Sequence, residues 1–409
     1  MPRLPSFIRH RPELAAFALL ATAGSGFGQT YLVAVFGTVL RESFALSHGL
    51  YGMLYGGATV CSALVLLRIG PLADNWPLAR LITLAVAILA LGCTVLGLAT
   101  HAIVLTLGFF LIRLGGQGLM PHIGLTTAGR YFYQHRGKVI ALSGSGFALS
   151  EALLPMTAVA LIALVGWRGS WLLAAAFLLL VMLPLYRRLT RRAPLPATLE
   201  RGGGGVAASG WRRDEVLRDA GFYLLLPAAV VTPFVVTAIL FHQGAIAAAK
   251  GWSLPLVAGA FGGYAAGHLL ALLITGAVVD RFTAQRTLPL SLLPMTAAML
   301  LLATFDAHWT PLAYLTLTGI SQGAMATAGG ALWPERYGTR HLGAVRSMVQ
   351  AVMIVSTAIA PVVIGVLLDE AVTIATLANL MAALILLSAL LALAARPHDG
   401  NGGRREPSA

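Results

Sequence analysis

The feature that most constrains this chain is a succession of apolar runs, each about one bilayer thick, separated by short segments carrying Arg, Asp, Pro or Gly. A helix needs about 20 mainly apolar residues to cross the hydrocarbon core, where its backbone groups must all be satisfied internally. Runs of this kind occupy residues 14–40, 50–69, 79–99, 102–128, 138–165, 168–187, 220–248, 254–278, 287–305, 309–333, 343–367 and 371–395, which predicts twelve spans. Composition excludes a soluble fold. Of 409 residues, 58% are hydrophobic and 11% charged, whereas a water-facing surface of this size calls for about 25% charged. The first run follows Arg3, Arg9 and Arg11, is too long for a signal-peptide core and lacks a cleavage site, so it reads as a retained span.

The net charge of +13 would suggest nucleic acid in a soluble chain; between spans it reports orientation. Of the 28 Lys and Arg residues, 24 fall on the side of the termini and the even-numbered connections. Three (Arg41, Arg168 and Lys250) fall opposite, and Arg113 lies inside a span. The bias places both termini in the cytoplasm, in a bacterial inner membrane. Cys61 and Cys93 both lie in apolar runs, so no disulfide framework or Cys-based metal site is expected. The stretch 188–219 contains Pro194, Pro196 and Gly202 to Gly205 and lacks apolar periodicity. It reads as a cytoplasmic linker between an N-terminal bundle, 1–187, and a C-terminal bundle, 220–395, with a disordered cytoplasmic tail over 396–409.

The halves repeat. Gly70 and Asp74 recur 206 residues later as Gly276 and Asp280, Arg130-Tyr131 as Arg336-Tyr337, Gly137 as Gly343 and Pro155 as Pro361, while Gln117-Gly118 recurs at 205 as Gln322-Gly323. Six spans return the chain to its starting side, so the units are parallel. Gly70-Pro71-Leu72-Ala73-Asp74-Asn75-Trp76-Pro77-Leu78-Ala79-Arg80 resembles the signature loop of the major facilitator superfamily, with Asn75 where a basic residue is usual. Gly276-Ala277-Val278-Val279-Asp280-Arg281 resembles its second copy, and Arg113-Leu114-Gly115-Gly116-Gln117-Gly118 the family's Arg-x-x-x-Gln-Gly element. The resemblance covers nearly the whole chain. It implies an all-α membrane protein, twelve transmembrane helices as two six-helix bundles related by a parallel pseudo-twofold, near the organic-anion and monocarboxylate-like branches. It further implies a gating role for Asp74, Arg80, Asp280 and Arg281.

An ionised group in mid-membrane costs about 2.5–3.5 kcal/mol on insertion scales and marks a functional candidate. Arg113 lies about 16 Å and Glu151 about 21 Å from the outer ends of their spans at 1.5 Å per residue, depths at which they could pair. A guanidinium keeps its proton and a desolvated carboxylate can exchange one, so Arg113 is expected to attract an anionic solute and Glu151 to carry the proton. The static alternative is an ion pair that fixes helix packing. Gln29, Tyr31, Gln117, Tyr264, His268, Gln322 and Gln350 form a polar band at comparable depth and are expected at the substrate site. His268 is a second proton carrier, and His242 with Gln243 lies nearer the outside as an outer gate.

The expected function is secondary active transport of a small, anionic organic solute by alternating access, coupled to protons. The alternatives are an exporter of hydrophobic or cationic compounds and a non-transporting receptor of the same fold. The fifth span reads Gly144-Ser145-Gly146-Phe147 and lacks the Gly-Pro pair of the family's drug antiporters, which disfavours the exporter. No His-Glu-x-x-His, Gly-x-Ser-x-Gly or phosphate-loop pattern is present, so neither an enzyme nor a cofactor nor a metal is expected. The expected partners are the solute, protons and the bilayer, with no nucleic acid and no obligate protein partner.

Overall fold

The computed structural model describes residues 11–70, 72, 76–132, 136–193, 210–338 and 341–396. Ten helical stretches are long and apolar enough to cross a membrane. One of them, Lys138–Thr190, is 53 residues long and comprises two spans, parted where Gly166 takes φ 70° and ψ 170°. A further helix, Thr310–Tyr337, is 28 residues long, and its hydroxyl side chains and Gln322 keep it off the apolar set. The count among the described residues is therefore the expected twelve.

In order, α1 is a broken span of four pieces, Pro12–Gly24, Ser25–Gly28, Thr30–Val35 and Gly37–Ser43. Next come α2 (His48–Ile69), α3 (Leu78–Gly97) and α4, assembled from Ala102–Ile112, Arg113–Leu119 and Met120–Tyr131. α5 (136–165) and α6 (167–190) close the first bundle. The second contains α7 (Ala220–Phe241), α8 (Leu254–Phe282), α9 (Ala284–Leu290 and Leu293–Thr304), α10 (Thr310–Tyr337), α11 (Leu342–Asp369) and α12 (Ile374–Ala394). The repeat pairs take equivalent places: Tyr131 and Tyr337 end α4 and α10, and Pro155 and Pro361 lie inside α5 and α11.

Three expectations shift. The apolar run 14–40 is interrupted at Gln29, whose φ of −85° and ψ of 154° are extended. The run 220–248 breaks at His242 and resumes as Gln243–Ala249. Asp280 and Arg281, expected in a connection, occupy the last turns of α8; no proline stops that helix, whereas the matching loop after α2 carries Pro71 and Pro77. Most of the expected linker and tail lies outside the described residues.

The bundles meet tightly on the side away from the linker, here the far side. There Asp369, ending α11, accepts the backbone N–H groups of His48 (2.8 Å) and Gly49 (2.7 Å) at the start of α2. Such N–H groups have no partner within their own helix, so a carboxylate there satisfies them and complements the helix dipole. One turn deeper, Gly52 and Gly56 lie against the α11 backbone at Pro361 and Ala358. Tyr51 stacks on Phe241 of α7 at 4.8 Å. Toward the linker side, Cβ atoms at Gly144, Gly276, Gly329 and Gly330 would meet nothing within 4 Å. The bundles are closed on the far side.

Candidate functional site

Arg113 opens the π-helical turns Arg113–Leu119 of α4, an irregularity that recurs at functional sites. The glycines that follow let this segment lie against its neighbours. A Cβ at Gly116 would fall 2.6 Å from the Gly28 Cα, and one at Gly115 would fall 2.7 Å from the Leu89 backbone nitrogen. That approach carries the guanidinium to the break in α1. Its Nε donates to Thr59 Oγ1 at 3.1 Å, and Nη1 to the Gly28 carbonyl and to Thr30 Oγ1, both at 3.4 Å. The Tyr55 ring lies 4.9 Å from the guanidinium carbon, and the Tyr55 hydroxyl donates to Thr30 Oγ1 at 3.0 Å. Arg113 is 1% exposed, no carboxylate among the described residues pairs with it, and Nη2 has no partner.

Glu151 goes elsewhere. Its Oε2 meets Nδ1 of His268 at 2.9 Å, a contact from α5 to α8 that joins the bundles. Both side chains are nearly enclosed, 7% and 12% exposed. The ion pair that their depths allowed between Arg113 and Glu151 does not form: the break in α1 and Thr59 of α2 take the guanidinium, while Glu151 meets His268 of the other bundle. Beside Glu151, Ser150 Oγ and the Tyr31 hydroxyl share a hydrogen bond of 2.7 Å. Tyr264, one turn before His268, is buried with its ring 6.2 Å from the imidazole. Tyr31, Glu151, Tyr264 and His268 thus form one cluster.

The remaining band residues divide. Gln29 Nε2 donates to Ser25 Oγ at 3.4 Å within the break of α1, and Gln117 is half-buried on the π-helical turns. Gln322 and Gln350 line a separate open cavity of about 340 Å³ between α7, α10 and α11. Thr232, Trp333 and Arg346, which sequence reasoning assigned to no site, line it too. Gln322 Oε1 and Thr232 Oγ1 are both buried without a partner. The structure leaves the polar band as three groups.

On the far side, His242 Nε2 is 2.9 Å from the Pro361 carbonyl of α11, and Gln243 Oε1 accepts from the Tyr314 hydroxyl at 2.7 Å. Both bonds tie elements of the C-terminal bundle, and His242 also reaches the seam between the bundles, its ring 5.9 Å from that of His48 at the start of α2. Of the gating residues, Asp74 lies outside the described residues. Arg80 is exposed with its guanidinium 4.2 Å from the Trp76 ring centre. Asp280 and Arg281 are exposed and make no ion pair with a described residue. A largely buried linker-side ion pair does form between Asp219, just before α7, and Arg336 near the end of α10, at 3.0 Å. Tyr337 donates to the same carboxylate at 2.7 Å. Its sequence signal was the repeated Arg-Tyr pair. The signal for the Arg113 cradle was Tyr55-x-x-x-Thr59, two polar side chains on one face of an apolar helix.

The twelve-helix duplication and the α4 element can be set against known proteins. A family model described as Major Facilitator Superfamily matches residues 18–253 and again 228–408. The chain belongs to the major facilitator superfamily. A solved structure of a bacterial homolog of the human lysosomal transporter Spinster, inward-facing and occupied, superposes with a TM-score of 0.73 at 17% identity, covering 96% of this chain and 97% of that one. The inward-facing, unoccupied form of such a homolog gives 0.67 at 16% identity, covering 96% and 95%. At such identities the likeness concerns the fold. A sequence search of curated proteins finds no match. As a superfamily member, the protein is a multi-pass membrane transporter of a small solute working by alternating access, and its family and fold point to a transporter rather than an enzyme.

Proposed function

We propose that this major facilitator protein moves a small organic anion together with protons, with Glu151 and His268 as the proton-carrying pair. The linker side is cytoplasmic by its positive charge, the membrane is a bacterial inner membrane, and the structure corresponds to a state closed to the outside. The observation that carries the proposal is the 2.9 Å contact between Glu151 and His268, because it links protonation to the bundle interface.

With one proton shared, the pair is neutral overall and the bond between bundles is charge-assisted. A second proton neutralises Glu151 against a cationic His268, which weakens the bridge and leaves a net positive charge. Removing both leaves a carboxylate beside a neutral imidazole, which repels an anion. Proton uptake therefore loosens the interface and favours anion binding at once, which is the requirement for symport. Arg113 adds a second, unneutralised positive charge, whose field is long-ranged in a water-poor bundle. Its cradle holds it rigid and keeps it from pairing with Glu151.

The test is uptake by reconstituted vesicles under an imposed pH gradient, with labelled carboxylates, amines and sugars. Gradient-driven carboxylate flux is expected. Glu151→Gln should leave exchange of solute across the membrane but abolish its acceleration by the gradient. Equal rates with and without the gradient in the wild type would refute proton coupling, and gradient-driven flux of amines alone would refute the anionic solute.

A further inference from the structure

The cavity between α7, α10 and α11 contains a cation that topology alone had explained. Arg346 lies in the second turn of α11 at the linker side, and Gln350 and Met353 follow on the same face at helical spacing. α10 runs the opposite way, so Trp333 lies near the mouth and Gln322 deep, about 16 Å further in at 1.5 Å per residue. The cavity is thus long, with Arg346 and Trp333 at its mouth and Gln322 and Thr232 deeper along it. Met325, Val349 and Met353 supply apolar wall between them.

Each end has unspent bonding capacity. Arg346 is exposed to the cavity; its Nη2 donates to the Gly330 carbonyl of α10 at 2.7 Å, and no carboxylate among the described residues pairs with it. A guanidinium has five donors in a planar fork suited to carboxylate or phosphate, and the bond to Gly330 uses one. At the deep end, Gln322 Oε1 and Thr232 Oγ1 are buried without partners, a state that costs free energy until a ligand or water satisfies it.

We propose that this cavity is the solute-binding site of the linker-side-open state and that Arg346 is its anion-recognising residue. It takes an elongated organic monoanion whose charged end meets Arg346, whose apolar middle lies along Met325 and Met353, and whose far end bears a hydroxyl or amide that donates to Gln322. A volume of about 340 Å³ suits a ligand of this kind, near the lower end of small-molecule sites. This deepens the anionic-solute reading and rests on it. It transfers first contact with the anion from the sealed Arg113 to an exposed guanidinium.

The test needs no known substrate. A Gly329→Cys change in a Cys61→Ser background puts a thiol on the cavity wall, where the added Cβ meets open space; Cys93 is buried and silent. Reaction rates with a sulfonatoethyl and a trimethylammonioethyl thiosulfonate report the local potential. The anionic reagent should be favoured about tenfold over its ratio on a free thiol, for a unit charge a few ångströms away in partly wetted protein. Arg346→Gln should remove that preference and Arg346→Lys retain it. Protection by 6-hydroxyhexanoate should exceed that by hexanoate, and hexylamine should not protect. A ratio indifferent to Arg346→Gln, or equal protection by the amine, overturns the proposal. The symport reading fails separately, if the preference and the protection hold but no anion flux follows the pH gradient.

Discussion

The far-side seam between α2 and α11 makes Gly52→Ala a sharp test of how the two bundles close. A Cβ added at Gly52 would meet the Pro361 carbonyl group, with its carbon 2.7 Å away, and the Val362 backbone nitrogen at 3.0 Å. These are backbone atoms of the opposite bundle and cannot rotate aside as a flexible side chain would. Forcing a methyl group into such a contact costs about 1–3 kcal/mol. The cost falls only on the far-side-closed state, because the contact is absent once the bundles part. A bias of that size multiplies the ratio of far-open to far-closed molecules by about 5–150. Spin labels on cysteines replacing Ser43 and Glu370, both exposed on the far side, in the Cys61→Ser background, read the separation by electron–electron dipolar distances. Gly52→Ala should add or enlarge a longer-distance population. Gly57→Ala is the internal control: it lies on the same helix with nothing within 4 Å of the added Cβ, and should leave the distribution unchanged. If both variants behave alike, the seam does not set the conformational balance and the steric argument is wrong.

Two further outcomes are expected. Arg113→Lys keeps the charge but loses the fork that reaches three oxygens on α1 and α2; thermal unfolding in detergent should show a loss of about 2 kcal/mol. Burial acts to raise the Asp219 carboxyl, but the Tyr337 hydroxyl, the Gly221 N–H and the Arg336 guanidinium more than offset it and hold the group below the usual carboxylate range. A group lowered in the folded state contributes its stability above its unfolded value of about 3.9 and loses it as pH falls through the folded value. Asp219→Asn should therefore destabilise at neutral pH by about 1–3 kcal/mol, from weakened bonds to the buried Arg336, and the difference from wild type should vanish in strong acid.

Much of the candidate site was legible, and what was missed has a common cause. Arg113 and Glu151 stood out because an apolar background makes an isolated charge costly wherever its helix packs. Their partners could not be inferred, since sequence spacing gives depth but not the rotation of a helix about its axis. α4 and α5 are consecutive, yet the π-helical turns direct Arg113 to α1 and α2 while Glu151 faces α8. Arg346 was hidden for the opposite reason. As one of 24 basic residues on a single side it looked like part of the topological charge, and only the cavity wall distinguishes it.

The sequence by itself determined the twelve spans, their parallel duplication and the side that bears the positive charge. Those properties follow from transfer of residues between water and lipid, an energy each segment feels regardless of its neighbours. Tertiary structure alone decided that Glu151 meets His268, that Asp369 holds the far ends of α2 and α11 together, and that Gln322 and Gln350 share a cavity with Arg346. In these cases the energy lies in contacts of a few ångströms between helices far apart in sequence, and the close glycine approaches set which side chains come within reach.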